Sequence, residues 1–169
     1  FVEKVNLTKL NFSKPENIVI LNVPCGNVVI ELFPSISPNS VERFKKLVKN
    51  KEYDNVAFHR VVENFLVQAG DLEFGRKENI NYTYIGSGRS KYDLIKPETD
   101  KPFKFKRGTV AFAKSKNGDA EDSEFLILLA DAFLFEGEYT PLGRVLNGIS
   151  ALDNIKFNDQ SEYVLWQDF

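Results

Sequence analysis

The chain of 169 residues is poor in several residue types, and each scarcity removes a class of function. A single cysteine, Cys25, cannot close an intrachain disulfide, which excludes a disulfide-stapled scaffold. With one histidine beside it, His59, no four-ligand Cys/His zinc site can be assembled. No apolar run exceeds the six residues Phe125 to Ala130, against the ~20 that a helix needs to cross a bilayer. Neither charge sign dominates: 22 Lys plus Arg stand against 24 Asp plus Glu, and a net charge of -2 attracts neither nucleic acid nor anionic lipid. Methionine is absent even from the first position, so the chain is expected to start after a removed segment. A cleaved export signal would make the protein periplasmic or otherwise exported. Trimming in cloning leaves the cytoplasm as the alternative.

What is present describes an ordinary globular domain. Hydrophobic residues make up 43% and aromatic residues 13%, enough for a real core in a chain expected to bury about 70% of its unfolded surface. Residues 1 to 16 are polar and aperiodic and read as an N-terminal extension, with a single domain over 17 to 169. Ile18 to Val23 and Val28 to Leu32 read as two strands around the turn Pro24-Cys25-Gly26-Asn27. Ser37-Pro38 has the form of an N-cap and a first helical position, and Val41, Phe44, Leu47 and Val48 recur at helical spacing over about 12 residues. The basic residues on its other side, from Arg43 to Lys51, read as a solvated face.

Two apolar runs, Val56 to Val62 and Phe65 to Ala69, flank Glu63-Asn64 as a hairpin or a bent strand. Residues 70 to 107 lose all periodicity and read as a long excursion over a rigid scaffold. Strands are expected at Gly108 to Lys114, Glu124 to Ala130, Tyr139 to Val145 and Tyr163 to Trp166, with a short helix over Ala151 to Ile155 capped by Ser150. Many short strands with few helices argue for a mainly β protein, a closed antiparallel barrel capped by helices, over a doubly wound α/β sheet.

Little in this chain fits nucleophilic or cofactor chemistry. A Cys/His dyad would need Cys25, which lies in a turn with no helix start to stabilise its thiolate. No Gly-x-Ser-x-Gly occurs, and Gly86-Ser87-Gly88 lacks the third glycine and the strand-to-helix setting of a dinucleotide loop. The pair His59-Arg60 is harder to dismiss, because an arginine among apolar neighbours is costly unless it is paired or serves a ligand. On a regular strand the two would point to opposite faces, so only a bend brings both into one site.

The segment Phe58-His59-Arg60-Val61-Val62-Glu63-Asn64-Phe65-Leu66-Val67-Gln68-Ala69-Gly70-Asp71 resembles the signature of the cyclophilins, which are peptidyl-prolyl cis-trans isomerases. Arg107 to Ala113, Ser123 to Ile127 and Leu134 to Val145 continue the resemblance, which spans about residues 17 to 156 and is most like bacterial members. It implies an eight-stranded antiparallel barrel closed by two helices, an enzyme that turns Xaa-Pro bonds without cofactor or metal, and proline-containing peptides and unfolded client proteins as partners. It also implies a monomer. By the same resemblance Arg60 donates to the prolyl nitrogen, and Phe65, Leu66 and Leu126 wall the proline pocket. Gln68 and the backbone at Ala113 and Lys114 hold the peptide, Tyr139 takes a position that is His or Tyr in the family, and His59 supports Arg60.

Three positions depart from the family pattern. Leu126 replaces the usual Phe, Glu124 stands for Gln, and Leu134 occupies the place of the Trp found in cyclosporin-sensitive members, so weak cyclosporin binding is expected. A carboxylate at 124 is expected to pair with Arg60 and draw its donors away from substrate. These departures keep a second reading open beside the isomerase: a proline-peptide-binding or chaperone module with little turnover.

Overall fold

In the structure, a computed structural model that describes residues 5–115 and 120–168, eight antiparallel strands form one curled sheet. The strands are β1 (Ile18–Val23), β2 (Gly26–Leu32), β3 (Arg60–Val62), β4 (Leu66–Ala69), β5 (Thr109–Lys114), β6 (Glu121–Leu128), β7 (Thr140–Asn147) and β8 (Glu162–Leu165). Their order across the sheet is β3-β4-β6-β5-β7-β2-β1-β8. Helix α1 (Pro38–Lys49) and the one-turn helix α2 (Ile149–Asp153) complete the fold. None of the described helices is long and apolar enough to cross a membrane.

The expected closed barrel is corrected to a curled half-barrel, because β3 and β8 share no ladder. Residues 56 to 59 were expected to extend β3, but their backbone leaves the ladder for other partners. Ala57 N–H donates to Gly75 O at 2.8 Å, and Phe58 N–H to Asp159 O at 2.8 Å. With Asn55 N–H to Ser161 O at 3.0 Å and Asn158 N–H to Phe58 O at 2.9 Å, irregular segments span the seam where an eighth pairing, β3 with β8, would close a barrel.

Strict alternation along the central strands sends two sets of side chains to opposite faces. Val67, Ala69, Val110, Phe112, Phe125 and Ile127 face the main core, where Phe44 of α1 meets Phe125 edge to face with ring centroids 5.3 Å apart. At ~1.5–3 kcal/mol per fully buried side chain, this core supplies most of the drive to fold. The intervening Leu66, Ala111, Leu126 and Leu128 face the other way and form a second cluster with Phe105 and Ala132. On the far side of the sheet, residues of the N-terminal segment (Val5, Leu7, Leu10, Phe12) pack with Trp166 over Ile18, Ile20 and Val29; residues 1–4 lie outside the described part.

Both helix caps differ from the sequence reading. Ser37 sits at the start of α1, but its hydroxyl donates to Pro141 O and not to the helix. The first free N–H groups of α1 are taken instead by Glu98 of the excursion, at 2.7 Å to Ser40 and 3.3 Å to Asn39, where a carboxylate also suits the positive end of the helix. Helix α2 begins one residue before Ser150, with Gly148 at the cap in a left-handed conformation, φ 86°.

Candidate active site

The site grows from one row across the sheet. Arg60 on β3 pairs with Gln68 on β4, Gln68 with Leu126 on β6, and Leu126 with Ala111 on β5, so all four share the outer face. Glu124 stands two residues before Leu126 on the same face. Leu66, Ala111 and Leu126 are buried to 1% exposure or less, and Phe65, Phe135 and Tyr139 are half-buried above them. Their rings interlock, with 5.8 Å between the centroids of Phe65 and Phe135 and 4.5 Å between Phe135 and Tyr139. The outcome is an apolar floor and wall with a cation at the rim, since Arg60 is exposed and its Nη1 donates to Gln68 Oε1 at 3.2 Å.

His59 and Arg60 both serve this face, which alternation on a regular strand would forbid. The bend is real: residues 57–59 precede the strand, and His59 Nε2 reaches Glu124 Oε1 at 2.9 Å. Gln68 Nε2 donates to the same oxygen at 3.2 Å. The expected Glu124–Arg60 pair is therefore corrected, because Glu124 is occupied by His59 and Gln68 and no ion pair joins it to Arg60 among the described residues. Burial raises the Glu124 carboxyl above the ordinary carboxylate range, against the hydrogen bond from His59.

Beside the apolar cluster lies a cavity of about 230 Å³, bounded by Ala113, Lys114, Glu124 and the loop Gly86-Ser87-Gly88. That loop is held by Asp71, whose buried carboxylate accepts from the backbone N–H of Gly86 and Gly88 at 2.6 and 3.0 Å. Asp122 holds the next turn through Ser90 N–H at 2.7 Å and Arg89 Nε at 3.1 Å. The 70–107 excursion is thus pinned at its carboxylate partners and shapes one side of the site.

Leu134 stands apart from the other site residues: it is 75% exposed in a tight turn over Phe133–Phe135, and its neighbour Phe135 makes the packing against Phe65. Sequence reasoning missed Phe135, one of three consecutive large apolar residues with nothing to single it out, and Phe105, which stands between two lysines in the aperiodic excursion. It also missed Asp71 as the anchor of the glycine loop, for which the only signal was its place at the end of the signature. Among the described residues no three His, Cys, Asp or Glu side chains gather as metal ligands, and Cys25 is exposed in the β1–β2 turn.

Comparison with known proteins agrees with this fold. The family described as "Cyclophilin type peptidyl-prolyl cis-trans isomerase/CLD" matches residues 18–166. A Brucella suis protein named "Probable peptidyl-prolyl cis-trans isomerase" is 40% identical over 149 residues, covering 88% of this chain and 76% of that protein. An Acinetobacter baylyi peptidyl-prolyl cis-trans isomerase is 31% identical over 156 residues, 89% of this chain and 78% of its own. Among solved structures, a Hirschia baltica cyclophilin superposes with a TM-score of 0.75 at 18% identity, over 92% of this chain and 76% of that one. A Cryptosporidium parvum cyclophilin, solved in the presence of the dipeptide Ala-Pro, gives 0.74 at 22% identity, over 88% and 98%. With a matched signature, the curled eight-stranded sheet and an arginine at the rim of an apolar pocket, the chain belongs to the cyclophilin-type peptidyl-prolyl cis-trans isomerases.

Proposed function

We propose that Arg60 is the catalytic donor, acting on the prolyl nitrogen of a peptide whose proline ring rests on Phe65, Leu66 and Leu126. Rotation about an Xaa-Pro bond breaks amide resonance against a barrier of ~18–20 kcal/mol. In the twisted state the nitrogen regains a lone pair, so a donor aimed at it stabilises the transition state more than either ground state. Arg60 suits this task because Gln68 is its one side-chain hydrogen-bond partner among the described residues. The other guanidinium N–H groups stay open at the rim, and this is the observation that carries the reading. Gln68 and the backbone near Ala113 and Lys114 hold the peptide, and Tyr139 closes the pocket beside Phe135 at 4.5 Å. Unfolded chains with accessible prolines are the substrates, and folding assistance is the outcome.

Exchange NMR on a short neutral Xaa-Pro peptide tests this assignment. Arg60→Ala is expected to lose on the order of a hundredfold in kcat/KM, the effect of removing one preorganised donor. An exposed residue costs about 0.5 kcal/mol of stability or less, so the variant stays folded. A folded Arg60→Ala protein with unchanged exchange would overturn the role of Arg60. A wild type that binds the peptide without accelerating exchange would identify a binding module of the same fold.

A further inference from the structure

We propose that Glu124 is a positioning residue of the isomerase site, setting the orientation of the Gln68 amide and through it the guanidinium of Arg60. The inference rests on Arg60 being the donor to substrate. Gln68 lies between two groups of opposite character: Arg60 can only donate, and an ionised Glu124 can only accept. Its amide has one acceptor and one donor end, so a single orientation satisfies both neighbours, with Oε1 to Arg60 at 3.2 Å and Nε2 to Glu124 at 3.2 Å. A carboxylate is symmetric and cannot flip, whereas an amide at 124 could offer either end and release Gln68 from its orientation.

His59 completes the arrangement. Its Nε2 donates to Glu124 Oε1 at 2.9 Å, while Nδ1 is buried without a hydrogen-bond partner. Glu124 is therefore the one side-chain partner of the imidazole among the described residues. The ring is 6% exposed and packs under the loop at Gly86, so Glu124 is fixed from the β3 side as well as from β4. Nε2 donates in both the neutral and the charged imidazole, so protonation of His59 leaves this link in place.

Protonation of Glu124 loosens the orientation of Gln68, because the neutral acid gains an O–H donor and no longer demands a donor from the amide. Other charged groups face Glu124 from the surrounding elements. Asp71, its carboxylate held by backbone N–H groups, is near enough for its charge to raise the Glu124 carboxyl, and Arg89, Lys114 and Asp122 border the shared cavity. Rotation about a prolyl bond moves no proton, so an acid limb in the rate reports a change in site geometry.

The experiment measures kcat/KM by exchange NMR on a neutral Xaa-Pro peptide across the titration of Glu124, with that titration followed in wild type by its carboxyl carbon resonance. Wild type is expected to lose turnover in step with protonation of Glu124. Glu124→Gln is expected to be several-fold slower near neutral pH, mostly in kcat, and to show no acid limb. A folded Glu124→Gln protein as fast as wild type, or faster, overturns the proposal. So does a wild-type rate that stays flat through the carboxyl titration, a comparison that needs no variant to fold. Arg60→Ala run alongside separates the two readings. If it is inactive while Glu124→Gln is unaffected, only the role of Glu124 falls; if it keeps full turnover, the catalytic arginine falls and the positioning role with it.

Discussion

Glu121 supplies a test of how the excursion is tied to the sheet. Its side chain has no exposed surface, and its backbone exchanges hydrogen bonds with Ile95 at 2.8 and 2.9 Å, where the excursion docks on β6. Burial raises its carboxyl from the ordinary 4.5 to about 7, with the Ser40 and Thr140 hydroxyls offsetting part of the cost and the charge of Glu98 adding to it. A carboxyl that holds its proton more tightly when folded stabilises the protein fully below the unfolded value of 4.5, and this contribution is lost as pH rises through about 7. The gap between 4.5 and about 7, at about 1.4 kcal/mol per pH unit, comes to about 3 kcal/mol, and full burial leaves no solvent screening to discount. Glu121→Gln keeps the shape and removes the charge. Urea unfolding of both proteins near pH 4 and near pH 8 should show the variant gaining about 3 kcal/mol relative to wild type between the two conditions. A difference between the two proteins that does not change with pH would refute the buried-carboxylate argument.

Two further outcomes follow from packing. Leu134→Trp is expected to raise cyclosporin affinity in a calorimetric titration, because the exposed Leu134 offers neither an indole donor nor a flat ring; tight binding by the unmodified protein would refute the register. In Gly88→Ala the new Cβ would collide with Asp71 Oδ1, which its backbone N–H partners hold in place, so the loop at 86–88 should detach at a cost of about 1–3 kcal/mol. Faster amide exchange confined to Gly86 and Gly88 would show it, and wild-type protection there would contradict the anchoring role of Asp71.

Much of the sheet was legible because its signals are local. Alternation along β4 and β6 separates Val67 and Phe125 from Leu66 and Leu126, and the two sets do face opposite sides. The helical spacing of Val41, Phe44, Leu47 and Val48 predicted α1 within its observed bounds. What escaped depends on partners far along the chain. Ala57-Phe58-His59 reads as strand, yet its N–H groups bond to Gly75 and Asp159. The cap of α1 comes from Glu98, 58 residues from Ser40. Strand β6 starts at Glu121 and not Glu124, because Glu121, Asp122 and Ser123 are buried against the excursion, where charged residues would ordinarily mark a turn. At the site, the choice of Glu124 for His59 and Gln68 over Arg60 follows from the bend before β3, which no spacing in the sequence encodes.

The shortness of β3 bears on solubility as well as on the role proposed for Arg60. A sheet that does not close leaves an outer strand with unpaired backbone groups, a template on which another chain can add. Here that strand is only three residues long, opens with the charged and exposed Arg60, and turns back through Glu63 and Asn64, the latter in a left-handed conformation at φ 60°. A long side chain bearing a permanent charge is among the devices that keep such edges from pairing. The arginine proposed to act on the prolyl nitrogen thus also sits where a charge keeps the open edge of the sheet from pairing.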